Sequence, residues 1–236
     1  MALPGIATNG KFLFPLICYL ALAWFSYLML LITIQYIPVN LNVAFLRIKQ
    51  DEIKQLHYQV AFFTHVYTSI FVLLAGFFQF LEYVRSRYRR IHRTLGKVYI
   101  ALVLFLAGPT GLIMGYYANG GWIAQTAFCL LAVLWILFTY KAFVFARYGN
   151  WEKHRNFMYR SYALTLSAVS LRLFKWVIAI VFELPPMDIY VFVAWAGWVV
   201  NLGVAEAIIY FSRKDLDRSS QVLHNLTNTS MEPSTK

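Results

Sequence analysis

The residues best placed to do chemistry are two histidines. His92 opens His92-Arg-Thr-Leu-Gly96-Lys-Val-Tyr99, and His154 opens His154-Arg-Asn-Phe-Met158-Tyr-Arg160-Ser161-Tyr162. Each stands just ahead of a long apolar stretch, where a helix is expected to start. The partial positive charge of a helix start disfavours imidazolium and leaves a neutral ring able to bind a metal. If both stretches cross a membrane in the same direction, the two rings lie at one level and can take opposite faces of one b-type haem. Gly96, a turn past His92, then leaves room for the macrocycle edge. His92 and His154 are therefore the candidate metal ligands, with Gly96 and Arg160 grouped beside them as candidate cofactor-binding residues. A plainer role fits the same motif: a histidine among arginines at a membrane boundary contacts lipid head groups or fixes a loop. Zinc and diiron sites are disfavoured, because Glu152 stands alone and Glu206 falls on another helix.

A second group lies deeper. His65, Arg172 and Lys175 fall inside apolar stretches, where ionisable groups are costly and mark interior sites. On one stretch Tyr58, His65, Ser69, Gly76 and Gln79 share a helical face; on another Ser161, Thr165, Ala168, Arg172, Lys175 and Ala179 do so. At helical rise His65 lies about 12 Å inside His57, and Lys175 and Arg172 about 12 and 16 Å before Glu183. The three are expected to share an internal pocket, with Glu183 or Asp188 near its mouth. They are the candidate catalytic or anion- and proton-handling residues. The alternative is structural: Arg172 satisfying backbone carbonyls and Lys175 snorkelling outward.

These groups need a scaffold, and the composition dictates its kind. Of 236 residues, 60% are hydrophobic and only 13% charged, with a mean hydropathy of +0.58. A soluble chain of this size has no core large enough to hide that surface, so lipid must cover it. The expected fold is all-α: a polytopic transmembrane helical bundle of six transmembrane helices, an integral multi-pass membrane protein. Spans are expected near Phe12–Ile37, Tyr58–Tyr83, Val98–Tyr117, Trp122–Phe145, Phe157–Phe182 and Met187–Phe211. Gly108, Gly111 and Gly115 give the third a groove for close helix approach, and Pro109 can kink it. The link between the first two is expected to hold an interfacial helix, with Val43, Phe45, Leu46 and Ile48 opposite Arg47, Lys49, Asp51 and Glu52.

In domain terms, residues 1–11 form an N-terminal segment, 12–211 the bundle and 212–236 a polar, disordered tail. Positive charge sets the orientation. The second and fourth links and the tail carry most of the Lys and Arg, against Arg47, Lys49 and Lys54 in the first link. The basic side is therefore read as cytoplasmic, with the N and C termini there. The net charge of +11 sits in these loops and suits anionic lipid head groups as partners, with no nucleic acid. The sequons at Asn225 and Asn228 point the other way and are outweighed by the charge asymmetry. Cys18 and Cys129 lie in apolar runs without metal-ligand spacing and are expected as buried free thiols. The first apolar run is too long for a signal core and reads as a helix.

On the residues His65, His92-Arg-x-x-Gly96-x-x-Tyr99, Gly108/Gly111 and His154-x-x-x-Met158-x-Arg160-Ser161-Tyr162 through Arg172, the sequence resembles an uncharacterised "domain of unknown function" family of small polytopic membrane proteins. The resemblance covers roughly His57 to Phe211. It implies a helical membrane bundle and brings no established activity. A looser likeness is to b-type membrane cytochromes and ferric-reductase-like proteins, which carry His-x-x-x-Gly with paired histidines on neighbouring helices. Here His92 and His154 sit shallower than such ligands, and His65 has no histidine partner on the fourth helix, so a two-haem wire is not expected.

Three functions follow from these sites. One is a membrane oxidoreductase in electron transport, holding one haem b between His92 and His154 and passing electrons to a quinone or small acceptor. Another is a haem-free enzyme acting on a small lipophilic substrate in the His65/Arg172/Lys175 pocket, lined from an aromatic content of 18%. The third is a proton-coupled or anion transporter using the same three residues, for which no inverted repeat is evident.

Overall fold

The structure, a computed structural model, describes residues 10–230. Its elements are α1 (Gly10–Ile34), a short 3-10 turn (Ala44–Ile48), α2 (Leu56–Gln79), α3 (Glu82–Arg87), α4 (Arg89–Leu102), a wide π turn (Val103–Ala107), α5 (Gly108–Tyr116), α6 (Gly121–Arg147), α7 (Trp151–Thr165), α8 (Ser167–Val181) and α9 (Pro186–Ser230). No strand occurs among the described residues. Five continuous stretches are long and apolar enough to cross a membrane: Leu16–Ile34, Leu56–Gln79, Arg89–Tyr116, Gly121–Arg147 and Pro186–Lys214. The pair α7–α8, bent by 42°, makes a sixth. The all-α multi-pass bundle is thus as expected.

Contacts sort the links to two ends. Link residues Lys49 and Tyr117 meet, as do His57 and Tyr117, and Gly120 lies against Tyr190 at the start of α9. At the other end the basic links after α2 and α6 face a common cavity. Tyr19 of α1 bonds Phe77 near the end of α2, and Arg213 of α9 pairs with Glu152 at 3.5 Å. The chain therefore joins and leaves the bundle at the basic end.

Local sequence explains the departures from regular helices. Pro109 has no N–H to give, so the turn before it widens and Gly108 N–H reaches back to Val103 O. At Leu166 the α7–α8 break frees Ala163 O, which accepts from Asn201 Nδ2 at 3.1 Å. Ser170 Oγ donates to the Oδ1 of the same Asn201 at 2.9 Å, holding the bend onto α9. The glycines of the third span do admit close neighbours. A Cβ at Gly115 would sit 3.1 Å from the Cys129 nitrogen and the Phe128 carbonyl carbon, and one at Gly108 would meet Ile136.

Three expectations change. The third span begins at Arg89 rather than near Val98, because Arg, Lys and Leu are good helix formers and their charged heads can reach water from the first turns. The first link holds one 3-10 turn, not an amphipathic helix. Asn40 and Asn42 form a turn (Asn42 N–H to Asn40 Oδ1, 2.8 Å), and Ala44 has φ 45°. Lys49, expected on the polar face, is 1% exposed; its ammonium donates to Glu52 Oε1 at 2.7 Å and to Tyr117 O. A buried ammonium needs such partners. α9 is described as far as Ser230, and no Gly or Pro stands between Gly203 and Pro233. The sequon asparagines fall on this part of α9, while residues 1–9 and 231–236 lie outside the described residues. Cys18 is a free thiol but exposed, and Cys129 is half-buried.

Candidate functional site

α4 and α7 place their histidines identically. Each is the fourth residue of its helix, and each makes the first helical bond, His92 N–H to Tyr88 O at 3.0 Å and His154 N–H to Asn150 O at 2.9 Å. Asn150 caps α7 through its side chain, accepting from Lys153 N–H at 3.1 Å. Seven residues beyond each histidine, two turns on and on the same face, stand Tyr99 and Ser161. Their oxygens are 2.8 Å apart. Tyr99 also meets Thr165 at 2.8 Å, so it ties α4 to α7 two turns beyond the two histidines. Both histidines line one cavity of about 1200 Å³, large beside ordinary small-ligand sites of about 300–1,000 Å³.

The ring protons can be placed. His154 Nδ1 lies 2.8 Å from Ala142 O. A carbonyl only accepts, so Nδ1 carries the proton and Nε2 keeps its lone pair. This second bond is the usual way a protein orients a ligating imidazole. His92 Nδ1 is buried with no hydrogen-bond partner, and the two rings lie within electrostatic range of each other. The cavity wall is apolar toward the bundle (Phe77, Phe80, Ile100, Leu166) and basic at its rim (Arg89, Arg93, Lys97, Arg147, Arg155). Arg155 Nε is buried without a partner. Gly96 lines the cavity and faces the Gln79 side chain, while Gln79 Nε2 donates to His92 O at 3.0 Å.

Arg160 does not line this cavity. It points to α9, where its guanidinium forms a two-pronged pair with Glu206 and lies over the Phe157 ring. Arg155, the second residue of the His-Arg motif, takes the place at the rim. The floor of the cavity rests on a buried hydroxyl circuit. Tyr99 O–H meets Ser161 and Thr165, Ser161 meets Thr139 at 2.7 Å, and Trp135 Nε1 donates to Thr165 at 3.0 Å. Sequence reading found Tyr99, Ser161 and Thr165 as motif or stripe members but missed Thr139 and Trp135. Those two lie four residues apart within the apolar middle of α6, and this spacing was their only signal.

The second group is only partly assembled. His65 Nδ1 donates to Ala107 O at 2.8 Å, and its ring packs against Gly111, where a Cβ would come within 2.9 Å of Cε1. The stripe on α2 faces inward as expected, with Tyr58, Gly76 and Gln79 buried. On the fifth span the stripe divides at the bend: Ser161 and Thr165 are buried, whereas Arg172 and Lys175 on α8 are exposed. Arg172 remains within electrostatic range of His65 and Tyr36, and Lys175 lies a turn nearer the opposite end. Among the described residues no three His, Cys, Asp or Glu side chains gather as a bare-metal site.

Fold and site together define an integral, multi-pass helical membrane protein with a basic, histidine-lined cavity at one end. Residues 62–209 match the family described as "predicted membrane protein (DUF2306)", and the chain belongs to that family. The matched region holds His65, both helix-start histidines and the α7–α8 bend, while α1 and the first link precede it. No curated protein and no solved structure matches the chain, so the cytochrome-like resemblance receives no support from either.

Proposed function

We propose that this chain is a membrane redox protein that holds one b-type haem between His92 and His154. The observation that carries the reading is that two helix-start histidines, on helices joined through Tyr99, Ser161 and Thr165, line one large cavity. His154 offers Nε2 with Nδ1 fixed on Ala142 O, and His92 offers a ring with no competing bond. The apolar wall suits a macrocycle, and the basic rim suits its carboxylates, with the unpartnered Arg155 Nε a ready donor. The bound group would supply one-electron chemistry, and its burial and bis-histidine ligation would set the potential. The excess of Lys and Arg at this end supports a cytoplasmic orientation for it. A cytoplasmic donor then delivers electrons to the cavity, and a quinone or small acceptor takes them on.

The test is the absorbance of the full chain purified from haem-replete cells, oxidised and dithionite-reduced. The reading expects a Soret band, with sharpened bands on reduction, and its loss in His92→Ala and in His154→Ala. Arg155→Gln should lower haem occupancy, while Arg160→Gln, remote from the cavity, leaves the spectrum as it was. A colourless wild-type protein ends this reading.

A further inference from the structure

Arg172 presents a separate problem. It lies in the middle of the α7–α8 span, about 14 Å along α8 from Val181 at helical rise, so it is held within the hydrocarbon layer. Of its five N–H donors, one is bonded: Nη1 donates to Ala168 O at 2.8 Å. Among the described residues neither it nor Lys175, one turn away, has a carboxylate partner. Yet Arg172 is exposed, and it stands within electrostatic range of Tyr36 at the end of α1 and of His65 on α2. Its exposed side chain therefore stands at an opening beside the contact of α8 with α1. In hydrocarbon an unmade N–H bond and an unbalanced charge are both expensive, and water does not supply the deficit as it does at a surface.

The residues around the opening are complementary to one kind of group. Arg172 and Lys175 supply positive charge and donors. His65, with Nδ1 committed to Ala107 O, keeps on Nε2 a lone pair or, when charged, a further N–H. We infer that the exposed face of α8 beside α1 binds a lipid-borne oxyanion, a carboxylate or phosphate on an apolar chain, with Arg172 as its principal partner. Its oxygens accept the free Arg172 donors, its charge offsets the two cations, and its chain lies among the exposed apolar residues of α8, including Trp176, Val177 and Ile180. The inference does not rest on the haem reading.

Two probes separate the sources of such an anion. The full chain is placed in nanodiscs of phosphatidylcholine, and equilibrium binding of radiolabelled oleate is measured. In parallel, phosphatidylglycerol retained from mixed nanodiscs is counted by native mass spectrometry. The expected result is one saturable site for at least one probe, weakened at least tenfold by Arg172→Gln and less by Arg172→Lys. Arg47→Gln, in the first link, should leave it unchanged. Oleate binding alone identifies a free fatty acid as the source, and phosphatidylglycerol alone identifies a phospholipid head group; both uphold the site. Absence of saturable binding for either probe overturns the inference, as does Arg172→Gln binding like wild type while remaining folded by circular dichroism. None of these readouts uses absorbance of a cofactor, so a colourless protein leaves them intact.

Discussion

Replacing Tyr99 by phenylalanine removes one oxygen from the buried circuit that joins α4, α6 and α7, and proton counting shows why that oxygen matters. Thr139 donates to Trp135 O at 2.7 Å, because a carbonyl only accepts. Its single proton is then spent, so Ser161 must donate to Thr139. Ser161 in turn must accept from Tyr99, and Tyr99 must accept from Thr165, which accepts from Trp135 Nε1. The circuit runs in one direction from the Trp135 indole back to the Trp135 carbonyl. Without the Tyr99 hydroxyl, Ser161 Oγ loses a donor, and the Thr165 proton falls back on Ser161 O at 3.2 Å. Two bonds are lost with almost no change in packing. At about 0.6 kcal/mol each, the membrane average, to about 1.5 kcal/mol each, the upper net value for typical bonds, the expected cost is about 1–3 kcal/mol. Reversible unfolding in mixed micelles measures it. The directional account also predicts that Tyr99→Phe and Thr139→Val, which share only Ser161, are coupled by at least about 0.5 kcal/mol in a double-mutant cycle. Strict additivity of the two, or a Tyr99→Phe cost below that figure, would refute the circuit.

Three further perturbations probe the scaffold by the same method. Gly115→Ala sets a methyl 3.1 Å from α6 backbone atoms that cannot swing aside, and should cost about 1–3 kcal/mol. Gly96→Ala meets only the tip of Gln79 at 3.4 Å, so the better helix propensity of alanine should leave stability level or raised by up to about 1 kcal/mol. Lys49→Met strands Glu52 and the Tyr117 carbonyl, and should lower stability by about 1–3 kcal/mol while leaving the histidine cavity unaltered.

The helical bundle was legible because its signal is redundant: each span repeats the same demand for some twenty apolar residues. The histidine pair was legible for a different reason. Two similar motifs at the heads of two parallel spans imply level side chains, and the seven-residue offset to Tyr99 and Ser161 was already present in the residues. Arg160 was misplaced because a one-dimensional motif does not say which neighbour a side chain meets; Glu206, forty-six positions later, decides it. Lys49 was misread for a like reason, since its partner Tyr117 belongs to a different link. The stripe through Arg172 failed at a definite point. Helical periodicity assumes a straight axis, and the 42° bend at Leu166 breaks the phase between the half that faces inward and the half that does not.

That bend and the wide turn of the third span sit at nearly the same level. Val103–Ala107 begins eleven residues after His92, and Leu166 comes twelve after His154. Above this level α4 and α7 are parallel and locked by Tyr99, Ser161 and Thr165, which keeps the histidine cavity fixed in width. Below it both helices depart from regular geometry. The wide turn presents Ala107 O to His65, and the bend carries Arg172 to the surface of α8. One level of irregularity therefore separates a site built from paired helix starts from a second group of polar residues beside the wide turn and the bend. Straightening the bend by removing the Asn201 side chain that holds Ala163 O and Ser170 would test this division. Asn201→Leu should disturb anion binding at Arg172 while the spacing of His92 and His154, set above the break, persists.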